Sequence, residues 1–270
     1  MKELSIGLGL ALATFACTAA DKTQFTLALQ AYTFKDRTMV ETIEVAKRLG
    51  FSAIELTPVQ KLGGTFTGTC THAGMSPETR AAVRAYLANC GVKALSYGVV
   101  NAPDEAGWRK QFEFVRDLGI GMLLTEPPPG QLPLIDRLAQ EYKIRVHIHN
   151  HARTNPWWDP AFMASKVAAC SEWIGAGADT GHWVPAGIKP AEGIRQLAAS
   201  RIFALHLVDV NAAGRPVPYG TGVGGIAEIL DTLKAKGEPV VVTLEYEQWD
   251  ELTEKNVRAC VEWFNAYLKQ

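Results

Sequence analysis

From about Phe25 onward, short β-branched or apolar runs alternate with longer stretches of helical periodicity, and the alternation repeats eight times. The strand-like runs are Thr26–Ala31, Ala53–Leu56, Lys93–Val99, Met122–Thr125, Arg145–His149, Ile174–Asp179, Ala204–Asp209 and Val240–Glu245. Between and after them lie Thr38–Leu49, Pro77–Asn89, Glu105–Leu118, Gln131–Tyr142, Pro160–Ala169, Pro190–Ala199, Gly224–Lys236 and Asn256–Leu268. Their apolar residues recur at the spacing that lines one face of a helix. Ser76-Pro77 is a helix start, with Ser as N-cap and Pro in the first turn. Gly50, Gly91 and Gly119 stand where helices end in the left-handed conformation. Strict strand–helix alternation implies a parallel sheet. Eight repeats in 270 residues fit a closed (β/α)8 TIM barrel, which typically needs ~250. No linker or low-complexity stretch divides the repeats, so residues 21–270 read as one domain.

The rest of the composition narrows the setting. The formal net charge is −1 and Lys and Arg are dispersed, so the basic face of a nucleic-acid binder is missing. Leu4 to Ala16 is an apolar run behind Lys2, followed by Thr18, Ala19, Ala20 and polar Asp21. That is the pattern of a signal peptide, over 1–20, and it implies export, most simply to a periplasm. The run falls short of the ~20 apolar residues a transmembrane helix needs. Cys17 offers an alternative anchor by lipidation, although Thr14 fits a lipoprotein box poorly. Cys17, Cys70, Cys90, Cys170 and Cys260 show no CxxC spacing; they read as small hydrophobes, and nothing demands a disulfide.

In a barrel of this kind, chemistry occurs where the strands end at the C-terminal mouth. Five of the six histidines fall in these strand-end segments, and only His72 lies elsewhere. Strand four ends at Glu126, strand five at His147, His149 and His151, and strand six at Asp179 with His182 just beyond. Strand seven carries His206, and strand eight ends at Glu245 and Glu247. Imidazoles and carboxylates together suit Mn²⁺ or Zn²⁺, with Co²⁺, Fe²⁺ and Mg²⁺ as alternatives. The expected ligands of one divalent metal ion are His149, Asp179, His206 and Glu245, one from each of four consecutive strands. On strand five, residues two apart share a face. His147 is therefore deeper than His149, and reads as a core residue or a contact behind a ligand.

Other residues remain open between roles. Glu126 is either a fifth ligand, an acid/base, or a capping or salt-bridging carboxylate. His151 either faces substrate or is structural, and Glu247 is placed to steady a ligand. His182 could hydrogen-bond a substrate oxygen as charge develops there. Trp158, Trp183 and Trp249 follow strands five, six and eight, and either stack on sugar faces or plug the rim.

Read together, the segments resemble the xylose isomerase-like TIM-barrel superfamily of sugar and sugar-phosphate isomerases and epimerases, in particular its exported bacterial branch. The resemblance runs from Leu27-Ala28-Leu29-Gln30-Ala31-Tyr32-Thr33-Phe34 to the last helix. It includes Gly50-Phe51-Ser52-Ala53-Ile54-Glu55-Leu56, Tyr97-Gly98-Val99-Val100, the Glu126-Pro127-Pro128 turn and His149-Asn150-His151. It continues through Ala178-Asp179-Thr180-Gly181-His182-Trp183, His206-Leu207-Val208-Asp209, Tyr219-Gly220-Thr221-Gly222 and Glu245-Tyr246-Glu247. The family's epimerases hold a metal through Glu, Asp, His and Glu, and the last three match Asp179, His206 and Glu245. The resemblance also implies that His182 contacts substrate. At the strand-five position, however, this chain has His149 where those epimerases have the second glutamate of a two-base mechanism, and it has Val208 where many relatives carry Lys.

The expected activity is proton abstraction next to a carbonyl, through an enediolate, by Glu245 or Glu126 as general base, with His151 or His182 returning a proton. A small carbohydrate is the expected partner. Elimination on a keto-sugar or 3-keto-glycoside is the alternative that the missing glutamate raises, and a non-catalytic sugar-binding barrel is another. Abasic-DNA endonucleases share this barrel, but their multi-zinc site and basic footprint are not visible here.

Overall fold

A computed structural model describes residues 25–197 and 201–270. The expected signal segment, Cys17 and the last residues of the Pro190–Ala199 helix lie outside the described residues. Among the described residues eight parallel strands form the barrel: β1 Phe25–Gln30, β2 Ala53–Leu56, β3 Lys93–Tyr97, β4 Met122–Thr125, β5 Arg145–His149, β6 Ile174–Gly177, β7 Ala204–Leu207 and β8 Val240–Leu244. The ladder runs β6-β5-β4-β3-β2-β1-β8-β7. Parallel bridges Ala176↔Ile202 and Asp179↔His206 bring β6 and β7 together and close the ring.

The helices α1 Met39–Arg48, α2 Pro77–Cys90, α3 Glu105–Leu118, α4 Leu132–Tyr142, α5 Pro160–Ala168, α6 Pro190–Gln196, α7 Ile226–Lys236 and α8 Thr253–Tyr267 surround it. Their ends follow local chemistry. Thr38 and Glu41 form a capping box at the start of α1, satisfying donors that the first turn leaves free. Ser76 caps α2, and Gly91 ends it at φ 68°, a conformation with little cost only for glycine. No helix among the described residues is long and apolar enough to cross a membrane. Cys70, Cys90, Cys170 and Cys260 are free thiols.

Several strands are shorter than the apolar runs suggest. β6 stops at Gly177 and β7 at Leu207, because the backbone leaves the ladder where it turns into the mouth loops. Asp179 and Glu245 therefore sit just beyond strands, while His149 and His206 lie within them. An antiparallel hairpin, Lys61–Gly63 with Phe66–Thr69, follows β2 and was not legible as strands. Its arms are only three and four residues long, too short for a period-2 pattern to stand out. Inside the barrel, a Cβ on Gly177 would lie 2.7 Å from His147 Nδ1. Glycine at 177 thus makes room for the His147 imidazole across the β5–β6 ladder.

Candidate metal centre

The four expected ligands converge. One donor atom each from His149, Asp179, His206 and Glu245 lies within 4.8 Å of the others, and all four residues are buried. His149 Nε2 is 3.2 Å from His206 Nδ1 and 3.5 Å from Asp179 Oδ2. His206 Nδ1 is 2.7 Å from Glu245 Oε2 and 3.8 Å from Asp179 Oδ2.

The surrounding chain aims each donor. Asp179 caps the one-turn helix Thr180–Trp183, its Oδ1 accepting from the Gly181 and His182 amides at 2.8 and 3.2 Å. Its other oxygen is thereby turned toward the imidazoles. Asn150 holds the Asp179 backbone at both ends, donating to its carbonyl at 3.0 Å and accepting from its amide at 2.8 Å. Thr180 Oγ1 accepts from the Val208 amide at 2.9 Å, tying the end of β6 to the end of β7. At β8, the Tyr246 amide donates to Thr33 Oγ1 at 3.1 Å, which fixes the backbone next to Glu245.

Each imidazole is backed by a carboxylate. His149 Nδ1 bonds Glu126 Oε1 at 2.6 Å, and His206 Nε2 bonds Glu55 Oε1 at 2.7 Å. Outer carboxylates of this kind orient metal-binding histidines and raise their basicity. Glu126 also pairs with His151 Nδ1 and accepts from Asn155 Nδ2 at 2.6 Å. It thus lies behind the cluster as the shared partner of two histidines. Glu55 had no role in the sequence reading. The signal was available in Ala53-Ile54-Glu55-Leu56: a carboxylate in an apolar strand must find partners when it is buried.

The electrostatics follow from these contacts. Burial opposes a charge on His149, but Asp179 and Glu126 outweigh it and raise its pKa to about 9. Burial likewise opposes a charge on His206, and Glu245 and Glu55 raise its pKa well above the usual range. For Glu126, burial resists ionisation, yet the bonds to His149 and His151 hold its carboxyl at about 2. Burial pushes Glu247 up to about 7, helped by the charges of Glu245 and Asp179. His147 is fully buried with no hydrogen-bond partner on either ring nitrogen; burial lowers its pKa to about 4. It is a neutral core residue.

Above the cluster a cavity of about 210 Å³ opens to the mouth. His149, His206 and Glu245 line it with His151, His182 and Glu247, and so do Tyr32, Pro58, Val59 and Val99. The His151 and His182 rings lie 4.4 Å apart. None of the three expected sugar-stacking tryptophans lines this cavity. Trp183 corrects its expectation outright: it is fully buried, and its indole N–H donates to the Trp158 carbonyl at 3.2 Å. A Cβ on Gly193 would lie 2.7 Å from its ring, so Trp183 packs against α6 and away from the mouth. Trp158 is half-buried beneath the Arg153 guanidinium. Trp249 is exposed at the rim, edge-on to Tyr32 with ring centroids 5.8 Å apart, and Lys35 covers its face.

Two imidazoles and two carboxylates meeting at one buried point are a donor set suited to a divalent first-row ion. Unneutralised, the buried carboxylates of Asp179 and Glu245 would stand with oxygens within 4.8 Å of each other, an arrangement that a cation or protons must compensate. The residues present therefore fit a metal. Fold and site define a (β/α)8 barrel with a candidate metal centre at its C-terminal mouth. The chain belongs to the xylose isomerase-like TIM barrel family, whose model matches residues 43–267.

Among solved structures, an uncharacterised protein from Parabacteroides distasonis is similar at 26% identity and a TM-score of 0.74, covering 90% of this chain and 99% of that one. An L-ribulose 3-epimerase is similar in fold at 16% identity and TM-score 0.70, covering 90% of this chain and 94% of its own. A probable 3-DHS dehydratase of petrobactin synthesis from Bacillus anthracis matches at 13% identity and TM-score 0.69, covering 89% and 98%. No curated protein matches this chain significantly.

Proposed function

We propose that this protein is a divalent-metal-dependent sugar isomerase or epimerase that removes a proton next to a carbonyl. The observation that carries the reading is the convergence of His149, Asp179, His206 and Glu245 below a cavity that three further proton-carrying groups line. These four residues would hold the ion, with Mn²⁺ or Zn²⁺ favoured by the mixed nitrogen and oxygen donors. When bound, the metal supplies Lewis-acid polarisation of the carbonyl and neighbouring hydroxyl.

The chain's own residues do the rest. Glu245 faces the cavity and acts as general base, taking the proton from the carbon next to the carbonyl. His151 and His182 face the same cavity; one returns the proton or donates to the developing oxyanion. Glu126 steadies His151 and His149 together. Among the described residues no Lys or Arg lines the cavity while two carboxylates do, which favours an uncharged sugar over a phosphorylated one. Return of the proton at the neighbouring carbon isomerises the sugar; return on the other face epimerises it. The apolar run Leu4 to Ala16 fits the same picture, with export to a periplasm bringing the enzyme to free sugars or glycosides.

A second reading, elimination on a keto-sugar or 3-keto-glycoside, is favoured by one observation. His149 occupies the strand-five position where the family's epimerases carry a glutamate, so Glu245 has no carboxylate partner there for a two-base exchange. Proton NMR in D₂O separates the readings, with metal-loaded protein and a panel of aldoses, ketoses and 3-keto-glycosides. Solvent deuterium entering the carbon next to the carbonyl in a rearranged sugar supports isomerisation or epimerisation. Loss of a β-oxygen supports the lyase. Glu245→Gln should lower turnover by about 10²-fold or more. Sugar binding with no exchange in any substrate would leave only a binding barrel and refute the enzyme.

A further inference from the structure

We propose that Glu55 is a positioning residue that dictates which nitrogen His206 presents to the cation; the inference rests on the metal reading above. Glu55 is wholly buried in β2, where a carboxylate persists only with partners. The barrel register supplies them from both neighbouring strands, since Glu55 lies across the ladder from Gln30 on one side and Ser96 on the other. The Gln30 amide and the Ser96 hydroxyl both donate to it. His206 Nε2 reaches it from β7 at 2.7 Å.

The protonation pattern follows from donor and acceptor chemistry. Gln30 Oε1 accepts from the Tyr32 amide at 3.1 Å, so the NH₂ end of Gln30 is the end turned inward. That NH₂ lies 3.4 Å from His206 Nε2, and it offers hydrogens rather than a lone pair. The acceptor left for His206 Nε2 is Glu55, and an ionised carboxylate only accepts. Nε2 therefore holds its hydrogen against Glu55, and Nδ1 is the nitrogen turned to the cluster, 2.7 Å from Glu245 Oε2, where the hydrogen it shares with that carboxylate is the one a cation would displace. His149 is arranged in the opposite sense, with Nδ1 on Glu126 and Nε2 toward the cluster. The two imidazoles use different nitrogens because their carboxylates stand behind opposite edges of the rings. Fixing the ring orientation, and holding the hydrogen on Nε2 so that Nδ1 is the nitrogen that gives up its proton, removes a cost from binding a cation.

A merely structural role for Glu55 predicts lost stability without a change at the metal. The test is Zn²⁺ affinity of the full chain by competition with a chromophoric chelator, for the wild type, Glu55→Gln and Gln60→Met. Gln60 is an equally buried network residue, whose amide donates to the Phe34 carbonyl at 3.0 Å and to Thr42 Oγ1 at 2.8 Å; none of the four donors is among its partners. Glu55→Gln should weaken Zn²⁺ binding roughly 10–100-fold, because a glutamine can turn its NH₂ toward His206 and favour the wrong tautomer. Gln60→Met should lower thermal stability and leave Zn²⁺ affinity unchanged. Long-range ¹H–¹⁵N correlation spectra of the Zn²⁺-loaded wild type should show the His206 hydrogen on Nε2, a result independent of whether the variant folds. A folded Glu55→Gln protein with wild-type affinity, or a His206 hydrogen on Nδ1, overturns the assignment. A wild type that takes up no Zn²⁺ overturns the metal reading itself, and is told apart from both by its own titration.

Discussion

Protons and metal should compete for the same nitrogens, and the strength of that competition can be worked from the site. In the metal-free cluster, His149 bonds Glu126 Oε1 at 2.6 Å and faces Asp179 Oδ2 at 3.5 Å. Although burial opposes the charge, those carboxylates raise the imidazole pKa from 6.5 to about 9. A cation needs the lone pair, so it must displace that proton. At pH 7, two pH units below the His149 pKa, the proton subtracts about 2.7 kcal/mol from metal binding, or roughly a hundredfold in affinity. Affinity should then climb about tenfold per pH unit for each proton released, and level off near pH 9. His206, also raised well above 6.5, brings the slope toward two protons.

Stability of the metal-free protein moves the other way. The raised pKa of His149 contributes stability that is fully present below pH 6.5 and is lost as pH rises through about 9. Glu126, held at about 2, contributes stability present above 4.5 and lost as pH falls through about 2. The increase in Tm on adding Zn²⁺ or Mn²⁺ should therefore widen between pH 6.5 and 9. Chelator competition at pH 6, 7, 8 and 9 measures the slope, and calorimetry in buffers of different ionisation heat counts the protons. An affinity that does not change between pH 6 and 8, with no proton released, would refute the hydrogen-bond argument.

Two further perturbations test the scaffold and the rim. Asp209 is buried and accepts from the Gly220, Gly222 and Gly224 amides at 2.8, 3.0 and 3.0 Å. Asp209→Ala leaves those donors unpaired and should cost about 3 kcal/mol, seen in thermal melts as roughly 6–12 °C of Tm. Trp183→Ala should cost about 3–5 kcal/mol through the cavity it opens, whereas Trp249→Ala at the exposed rim should leave Tm unchanged. If Trp249 meets substrate as the sequence suggests, its loss raises KM with little change in kcat; an unaltered KM removes it from the site.

The sequence by itself determined the barrel and the placing of four candidate metal donors at its mouth. Strand and helix periods are local properties, read within a few residues, and a parallel barrel sends its strand ends to one face. His149, Asp179, His206 and Glu245 could thus be placed together without knowing their distances. Only the tertiary structure decided what stands behind them. Glu55 meets His206 across 151 positions of sequence, and Glu126 chooses His149 and His151 over a place at the centre. Trp183 turns into the core although its neighbour Asp179 faces the mouth. Such pairings depend on ladder register and on the direction each chain takes as it leaves its strand, and both are settled when the ring closes.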